Sequence, residues 1–370
     1  MSNLFDYLNW RGDLSFGSVS LCPVDALIFS MLPYIRLEGI VPELPGAEPV
    51  RLGDAVATYL ATPPSAPLND NHLKLLEQLK ASQRFASLRL LGAQKELDPE
   101  NGMQFAAITI LLPGQNLLVA FEGTDDTLVG WQEDFRMSYE CPVPAQLRAV
   151  QYLRAVAAAH PLRRIYVCGH SKGGNLAMFA AVHCGNEYRY RIRAVYNNDG
   201  PGFCDDTLSS PEYTEIRHRI HTFLPQSSIV GVLLEHDTNY RIVKSTNVGL
   251  LQHDAYSWQV MGADFEYTTE RTAFGRETEA IVDRFVNELS PERKRQFGEA
   301  LFAMLESTGQ ETVSGITGNK LQSLRRMLSS YADLDPKVRE ILHDSFSSLN
   351  RFRREARKGR TPLSDTEKSS

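Results

Sequence analysis

Residues 163–182 read RRIYVCGHSKGGNLAMFAAV, and this stretch decides the fold. A short β-branched and aromatic run leads into a Gly-His-Ser-Lys-Gly turn, and a run of small residues typical of a helix follows. Residues 169–173 fit G-x-S-x-G, a pattern that places a serine on a sharp turn between a strand and a helix. The partly positive N-terminus of that helix would stabilise a developing oxyanion. The placement predicts that Ser171 is a nucleophile; the alternative is a serine in a tight turn.

The segments around this turn alternate between helix and strand. The sequence predicts helices at 144–160 and 171–184, and strands at 165–168, 192–198 and 217–224. Strands that alternate with helices are typical of a mostly parallel sheet covered on both faces. The expected fold class is therefore α/β.

Upstream of the turn, the patterns are more varied. Residues 23–32 read as a helix with proline at its first position, and another helix begins at Asn69. Two apolar runs flank Pro113-Gly114-Gln115-Asn116, which predicts a β-hairpin. The stretch 40–70 is rich in proline, alanine and polar residues and is expected to be dominated by loops.

The end of the chain has a different pattern. From Arg276 the apolar residues recur at helical spacing, and Ser290-Pro291 resembles a helix N-cap followed by a first-turn proline. The sequence therefore predicts a domain over 1–275, a helical appendage over 276–352 and a disordered basic and polar tail over 353–370. The run RFRREARKGR contains six basic residues and one acid, which is typical of a solvated, frayed helix end.

Composition narrows the function classes. A net charge of -6 argues against a nucleic-acid-binding protein. The five cysteines are scattered and never spaced Cys-x-x-Cys, which argues against a disulfide framework or a zinc knuckle and favours a reducing cytoplasm. No apolar run approaches the roughly 18 residues of a membrane span, and the start of the sequence lacks the apolar segment of a signal peptide. No metal-ligand or nucleotide-binding spacing stands out, so no cofactor is expected.

A serine nucleophile needs a base, which in α/β-hydrolases follows the acid along the chain. Four histidines come after the turn at suitable positions: His218, His221, His236 and His253. The first two lie in or beside a predicted strand, where a structural role is expected. His253 follows the last predicted strand, on a loop that could return over the serine, and it is the candidate base. The alternative is an exposed loop histidine beside Asp254.

An oxyanion hole needs two hydrogen-bond donors near the nucleophile. The predicted strand 117–121 ends at Glu122-Gly123-Thr124, where Thr124 could offer its backbone N–H and its hydroxyl. Lys172, directly after the nucleophile, could offer the second backbone N–H. The alternative for the loop at 123–126 is a plain turn or a helix cap.

Several motifs in this order resemble those of the class 3 (fungal-type) lipases: FEGTDDTLVGWQEDF, GHSKGG, IHTFLPQSSIVGVLLEH and QHDAYSW. Together with the opening FDYLNWRGDLSF, they are similar to an uncharacterised bacterial family of lipase-like proteins, over roughly residues 3–265. The resemblance implies an α/β-hydrolase fold and ester hydrolysis. It assigns Ser171 as nucleophile, Thr124 as oxyanion donor and His253 as base, and it makes Trp131 and Asp134 structural residues.

The sequence departs from the lipases at the catalytic acid. Where they carry an aspartate, this chain reads Gln226-Ser227-Ser228-Ile229-Val230. The proposed substitute is Asp199, just after the strand that follows the nucleophile, although this residue could equally be a turn former. Weaker alternatives are Glu235, Asp237 and Asp254.

A second departure is Lys172, which replaces the usual leucine of the lipases. Its side chain could favour an anionic substrate group, or it could point into solvent.

These patterns leave two functional hypotheses. The first is a cytoplasmic serine hydrolase that cleaves a small-molecule or lipid ester, or a thioester, with no nucleic-acid partner and no membrane span. Peripheral contact with a membrane remains open, as does the oligomeric state. The second hypothesis is a catalytically degenerate hydrolase fold that acts as a binding module and offers its C-terminal helices to a partner. The missing acid motivates it.

Overall fold

The structure is a computed structural model. It describes residues 2–62, 68–204, 206–273, 275–277, 279–280 and 289–318, with isolated positions between 331 and 351. The predicted tail at 353–370 lies outside the described residues, as does most of the predicted appendage after residue 318. The domain boundary near residue 275 remains a prediction.

A nine-stranded mixed sheet forms the centre of the protein, in the order β1-β2-β3-β4-β5-β6-β7-β8-β11. The pairs from β4 to β8 are parallel, and the other pairs are antiparallel. A separate hairpin joins β9 and β10. The strands are β1 (Val50–Arg51), β2 (Arg89–Asp98), β3 (Met103–Leu112), β4 (Asn116–Phe121), β5 (Arg164–His170), β6 (Ile192–Asn198), β7 (Ile220–Pro225), β8 (Tyr240–Val243), β9 (Val260–Met261), β10 (Asp264–Phe265) and β11 (Tyr267–Thr268).

Helices cover both faces of this sheet. They are α1 (Leu4–Arg11), α2 (Pro23–Ser30), α3 (Leu52–Ala61), α4 (Asp70–Ala81), α5 (Gln83–Ala86), α6 (Leu128–Arg136), α7 (Pro144–Ala159), α8 (Lys172–His183), α9 (Asn186–Arg189), α10 (Pro211–Ile216), α11 (Pro291–Glu306) and α12 (Val313–Gly318). Alternation along β4 divides the core: Leu118 and Ala120 pack in the cluster of α1 to α4, whereas Leu117 and Val119 pack with α7 and α8. Successive side chains of a strand point to opposite faces, which explains the division.

Most of the predicted elements near the serine turn are confirmed. The helix from residue 144 begins with proline at its first position, and the hairpin at 113–116 joins β3 to β4. The strand predicted at 217–224 starts later, at Ile220, because a short 3₁₀ turn occupies 217–219. The expectation that 40–70 is dominated by loops is wrong at α3, whose Leu52, Val56 and Tyr59 repeat at helical spacing on a buried face.

A buried arginine fixes the N-terminal segment against this core. Arg84 donates from Nε to Asp25 Oδ1 over 2.9 Å, and its Nη atoms donate to the Leu14 and Ser20 carbonyls over 2.8 and 3.1 Å. The guanidinium lies 3.7 Å from the centroid of the Phe16 ring. A buried charge is tolerated only when it is paired and hydrogen-bonded. The pair therefore anchors α2, which leads directly to residues that line the site described below.

The C-terminal helix α11 packs on α6. It begins at Ser290, whose hydroxyl accepts from the Arg293 N–H, and its Phe297 and Phe302 rings contact Phe135. Two backbone hydrogen bonds between residues 311–313 and the loop at 126–128 extend the contact. This part of the predicted appendage thus rests on the helix that follows the proposed oxyanion loop.

Candidate active site

The turn that carries Ser171 has an unusual backbone. Ser171 has φ +58° and ψ -135°, a conformation that costs energy in any residue with a side chain. Its N–H donates to the Asn198 carbonyl over 3.0 Å, which ties the turn to the end of β6. A Cβ at Gly169 would lie 2.0 Å from the Gly173 carbonyl oxygen, so only glycine fits there. The strained turn presents the serine at the end of β5 and the start of α8.

His253 and Asp199 meet beside this turn. Asp199 follows β6 in a left-handed conformation, with φ +56°, and its N–H donates to the Phe223 carbonyl over 2.9 Å. Its carboxylate is completely buried, and the distance from Asp199 Oδ2 to His253 Nδ1 is 2.7 Å. The His253 side chain keeps 30% of its surface exposed. An Nδ1–H held by a carboxylate leaves Nε2 as the proton acceptor. The structure thus brings together the predicted base and the predicted substitute acid.

A serine fixes the other oxygen of this carboxylate. The Ser228 hydroxyl donates to Asp199 Oδ1 and accepts from the Gly231 N–H over 3.0 Å. Ser228 lies after β7, at the position where the resemblance places the lipase acid. The role of Ser228 in holding Asp199 was not predicted from the sequence, although a serine in place of the lipase acid was a signal for it. We call Asp199, His253 and Ser228 the acid cluster.

The carboxylates of two other candidate acids, Asp237 and Asp254, bind other groups. Asp254 accepts from the Tyr256 N–H over 3.1 Å, and Asp237 accepts from Arg217 Nη2 over 2.8 Å. The backbone of Glu235 pairs with that of Phe203.

The remaining candidate histidines lie away from Asp199. His221 stacks on Tyr196, and burial lowers the pKa of the His221 imidazole. The ring of His218 accepts a hydrogen bond from Arg219 Nε over 3.2 Å, and His236 bonds the Leu234 carbonyl over 3.1 Å.

His170 is a site residue that the sequence reasoning missed. Its Nε2 bonds the backbone carbonyl of His253 over 2.9 Å, and its Nδ1 lies 3.3 Å from the Tyr34 hydroxyl. The two imidazole rings are 4.6 Å apart. Burial, together with the charge of His253, lowers the pKa of His170 to about 3, so His170 is neutral near pH 7. It therefore positions the loop of His253 without adding a competing positive charge.

The predicted oxyanion loop lies against the nucleophile. A Cβ at Gly123 would lie 3.0 Å from Ser171 Cβ, which places Thr124 close to the serine. The Thr124 hydroxyl, however, donates to Asp134 Oδ2. Of the two donors expected from Thr124, the backbone N–H is the one left for an oxyanion. Asp134 lies in the cavity wall, where burial raises the pKa of its carboxyl to about 6.

Both expectations for the side chain of Lys172 are wrong. Its ammonium points neither into solvent nor at a substrate: it is fully buried, 3.0 Å from Glu133 Oε2 and 3.0 Å from the Gln104 carbonyl oxygen. Burial alone would lower the pKa of this ammonium, but Glu133 and Asp134 raise it above its ordinary value. The Lys172 backbone N–H remains the candidate oxyanion donor. We call Lys172, Glu133 and Gln104 the lysine cluster.

The lysine cluster extends beneath the oxyanion loop. Gln104 Nε2 donates to Glu122 Oε2 over 2.8 Å, and Lys95 Nζ lies 3.5 Å from Glu122 Oε1. Burial raises the pKa of Glu122 to about 7, against the opposing effect of Lys95. The residue before Gly123 therefore belongs to a buried network that holds the loop from below.

A cavity of about 1000 Å³ contains the reactive residues. Ser171, Thr124 and His253 line it, and Trp131 lines it while remaining 49% exposed, unlike the structural tryptophan that the resemblance implies. Much of the cavity lining is apolar, and part of it comes from α11. The apolar lining residues include Phe135, Met137, Val230, Leu233, Leu234, Leu301 and Phe302.

Among the residues that the structure describes, no three His, Cys, Asp or Glu side chains are grouped to hold a metal ion. Within the same ranges, no helix is both long and apolar enough to cross a membrane.

The match to a family model places the chain in a lipase-like class, and the structure shows a mixed α/β fold. The profile of the Mbeg1-like family matches residues 79–303, more than half of the sequence, and the chain therefore belongs to the Mbeg1-like family. The match includes the serine turn, the acid cluster, the lysine cluster and most of α11. No curated protein matches the sequence.

Proposed function

We propose that the protein is a serine hydrolase of carboxylic esters, with an α/β-hydrolase fold of the class 3 lipase type. The observation that carries the proposal is the 2.7 Å contact between His253 Nδ1 and Asp199 Oδ2, in the same cavity as the strained Ser171. A nucleophile, a base and an orienting carboxylate are the three groups that acyl transfer needs. Membership of a lipase-like family supports the same reaction class.

In the proposed mechanism, Ser171 Oγ attacks the ester carbonyl carbon while His253 Nε2 takes the hydroxyl proton. The tetrahedral intermediate collapses, the bond to the alcohol oxygen breaks, and the alcohol leaves with the proton from Nε2. The acyl-enzyme is then hydrolysed by a water molecule that His253 activates in the same way. Asp199 keeps Nδ1 protonated and stabilises the imidazolium, and it takes up no proton itself.

The negative charge on the carbonyl oxygen would be held by the backbone N–H groups of Thr124 and Lys172. Removal of one such donor typically costs about 100- to 1000-fold in rate. The networks on Glu122 and on the Lys172 ammonium support this role, since they fix the two backbone segments that carry these donors.

The proposed substrate is a lipid or acyl ester. The apolar lining of the cavity supports this class, because it would remove an acyl chain from water. A thioester has the same electrophilic carbonyl and remains within the proposal. A cytoplasmic location, peripheral contact with a membrane surface and a bacterial origin remain predictions from the sequence.

The first test is labelling with a serine-directed fluorophosphonate. The wild type is expected to be labelled and to hydrolyse p-nitrophenyl esters, whereas Ser171→Ala and His253→Ala lose both properties. A series of rising acyl length then gives the chain-length preference. A folded wild type that is neither labelled nor active would instead favour a degenerate binding module. The reason for that alternative is the acid missing from the lipase position, and the contact between Asp199 and His253 weakens this reason.

A further inference from the structure

We infer that the substrate carries an anionic group, separated from the ester carbonyl by an apolar segment, and that Lys294 of α11 binds this group. The inference rests on the proposed ester hydrolysis and adds a substrate class and a specificity residue to it. Lys294 and Ser138 line the same cavity as Ser171 and form the proposed subsite.

Lys294 is a half-buried cation without an acidic partner. Its Nζ donates to the Ser138 backbone carbonyl over 3.1 Å, and within the described ranges no carboxylate lies within ion-pair distance. Burial lowers the pKa of its ammonium, against an opposing effect of Cys204. A partly desolvated ammonium gains from binding an anion.

Ser138, whose backbone carbonyl contacts Lys294, lines the same cavity and carries a second donor. Its Oγ is buried and makes no hydrogen bond within the part of the chain that the structure describes. A buried hydroxyl without a partner is costly, and natural proteins rarely keep one without a reason. A carboxylate or phosphate oxygen could accept from both the Ser138 hydroxyl and the Lys294 ammonium.

Apolar side chains from the same segments as Lys294 and Ser138 also line the cavity. Leu301 and Phe302 come from α11, as Lys294 does, and Met137 directly precedes Ser138. A neutral acyl chain would leave the half-buried ammonium with the Ser138 carbonyl and no anion, and it would leave the Ser138 hydroxyl without a partner among the described residues. A chain or leaving group that ends in an anion would satisfy them. Two chemical sources fit: an acyl chain with a terminal carboxylate, or an alcohol portion that carries an anion.

The test compares matched esters that differ only in this charge. For the acyl side, the probes are p-nitrophenyl half-esters of dicarboxylic acids of rising length, each against its methyl-capped analogue. For the alcohol side, they are 4-acyloxybenzoates against their methyl esters. We expect the wild type to prefer the anionic member at one or more lengths by about tenfold in kcat/KM, as for a hydrogen bond to a charged group.

Variants then assign the preference to Lys294. In Lys294→Met the ratio of kcat/KM for the anionic and neutral members is expected to fall to one or below, and Lys294→Arg is expected to keep part of it. Ser138→Ala is expected to lower the ratio by a smaller factor. The matched control is Arg293→Met, which removes an exposed charge from the same turn of α11 and should leave the ratio unchanged. Because each ratio is taken within one variant, general damage to the enzyme cancels.

Two results would overturn the inference while the proposed function stands. One is hydrolysis of the neutral esters with no preference for an anion at any length on either side. The other is a preference that survives in Lys294→Met. Failure of the wild type to hydrolyse any ester or to react with fluorophosphonate would refute the proposed function, and the inference would fall with it.

Discussion

The acid cluster and the lysine cluster both adjoin the turn that carries Ser171, but they differ in access to solvent. Asp199 is fully buried while its partner His253 keeps 30% of its side chain exposed in the cavity. Lys172 and Glu133, by contrast, are both fully buried, and both Glu133 carboxylate oxygens accept backbone N–H groups, from Gln104 and Ala145. One cluster includes a partly exposed ring that lines the cavity, and the ion pair of the other is closed to solvent.

The difference separates a proposed role in proton transfer from a role in structural support. A group that exchanges protons needs a lone pair that a substrate can reach, and His253, which lines the cavity, is the group proposed for this role. A group that only holds the backbone gains from having every donor and acceptor paired, as in the lysine cluster. Damage to the acid cluster is therefore expected to reduce rate, and damage to the lysine cluster is expected to reduce stability.

The largest effect is expected from Asp199→Asn. The amide would favour the wrong tautomer of His253, so kcat for ester hydrolysis should fall by about 10⁴-fold with the fold intact. Steady-state kinetics and circular dichroism measure the two quantities. Asp237→Asn, which loosens the surface pair with Arg217, serves as the control and should keep wild-type kcat. Undiminished hydrolysis in Asp199→Asn would remove this residue from the triad.

The next effect is expected from Lys172→Met. It leaves the Glu133 carboxylate buried without its cation, so the free energy of unfolding should fall by about 3–5 kcal/mol in denaturant titrations. Adding Glu133→Gln removes the uncompensated charge and should restore a large part of the loss. A double variant no more stable than the single one would show that the ion pair is not the cause.

A third effect concerns pH. Burial raises the pKa of Glu122 from an ordinary value of 4.5 to about 7, so between these pH values the folded protein holds a proton that the unfolded chain has lost. The free energy of unfolding should therefore fall as pH rises through this window, by on the order of 3 kcal/mol from this group. Glu122→Gln cannot ionise and should remove that part of the slope. Unfolding curves at pH 5 and pH 8 for both proteins measure it, and equal slopes would contradict the prediction.

The smallest effect is expected from Ser228→Ala. The variant leaves Asp199 Oδ1 without its hydroxyl donor, so the carboxylate should hold His253 less firmly and kcat should fall by about tenfold. KM should change little, because Ser228 does not line the cavity. Ser228→Thr keeps a hydroxyl and should recover most of the rate. A rise in KM with unchanged kcat would instead point to damage of the binding wall.

Local patterns were sufficient to predict the turn of Ser171. The two glycines and the small residues of α8 are adjacent in sequence, and the strained φ of +58° follows from the turn they define. The sequence analysis proposed the pairing of Asp199 with His253 from the order of these residues along the chain and from the positions where the predicted strands end. The sequence also predicted a lipase-like family and an α/β fold. The family match and the mixed sheet confirm these coarser predictions.

Long-range contacts account for what the sequence did not predict. The side chain of Lys172 is set by Glu133 and Gln104, which are 39 and 68 residues away, and a single sequence carries no signal for such a pair. The role of Ser228 depends on Asp199, which lies 29 residues earlier at the end of the neighbouring strand β6. The helix α3 was missed because prolines around it obscured its buried stripe.

The position of α11 has a consequence for how this protein can diversify. The groups proposed to break the bond lie between Thr124 and His253, whereas Lys294, Leu301 and Phe302 are supplied by a separate later segment. If the proposals hold, changes in that segment would alter substrate specificity while the proposed catalytic groups stay unchanged. Substitutions could therefore change the proposed substrate specificity and the proposed chemistry independently, because the two depend on different segments of the chain.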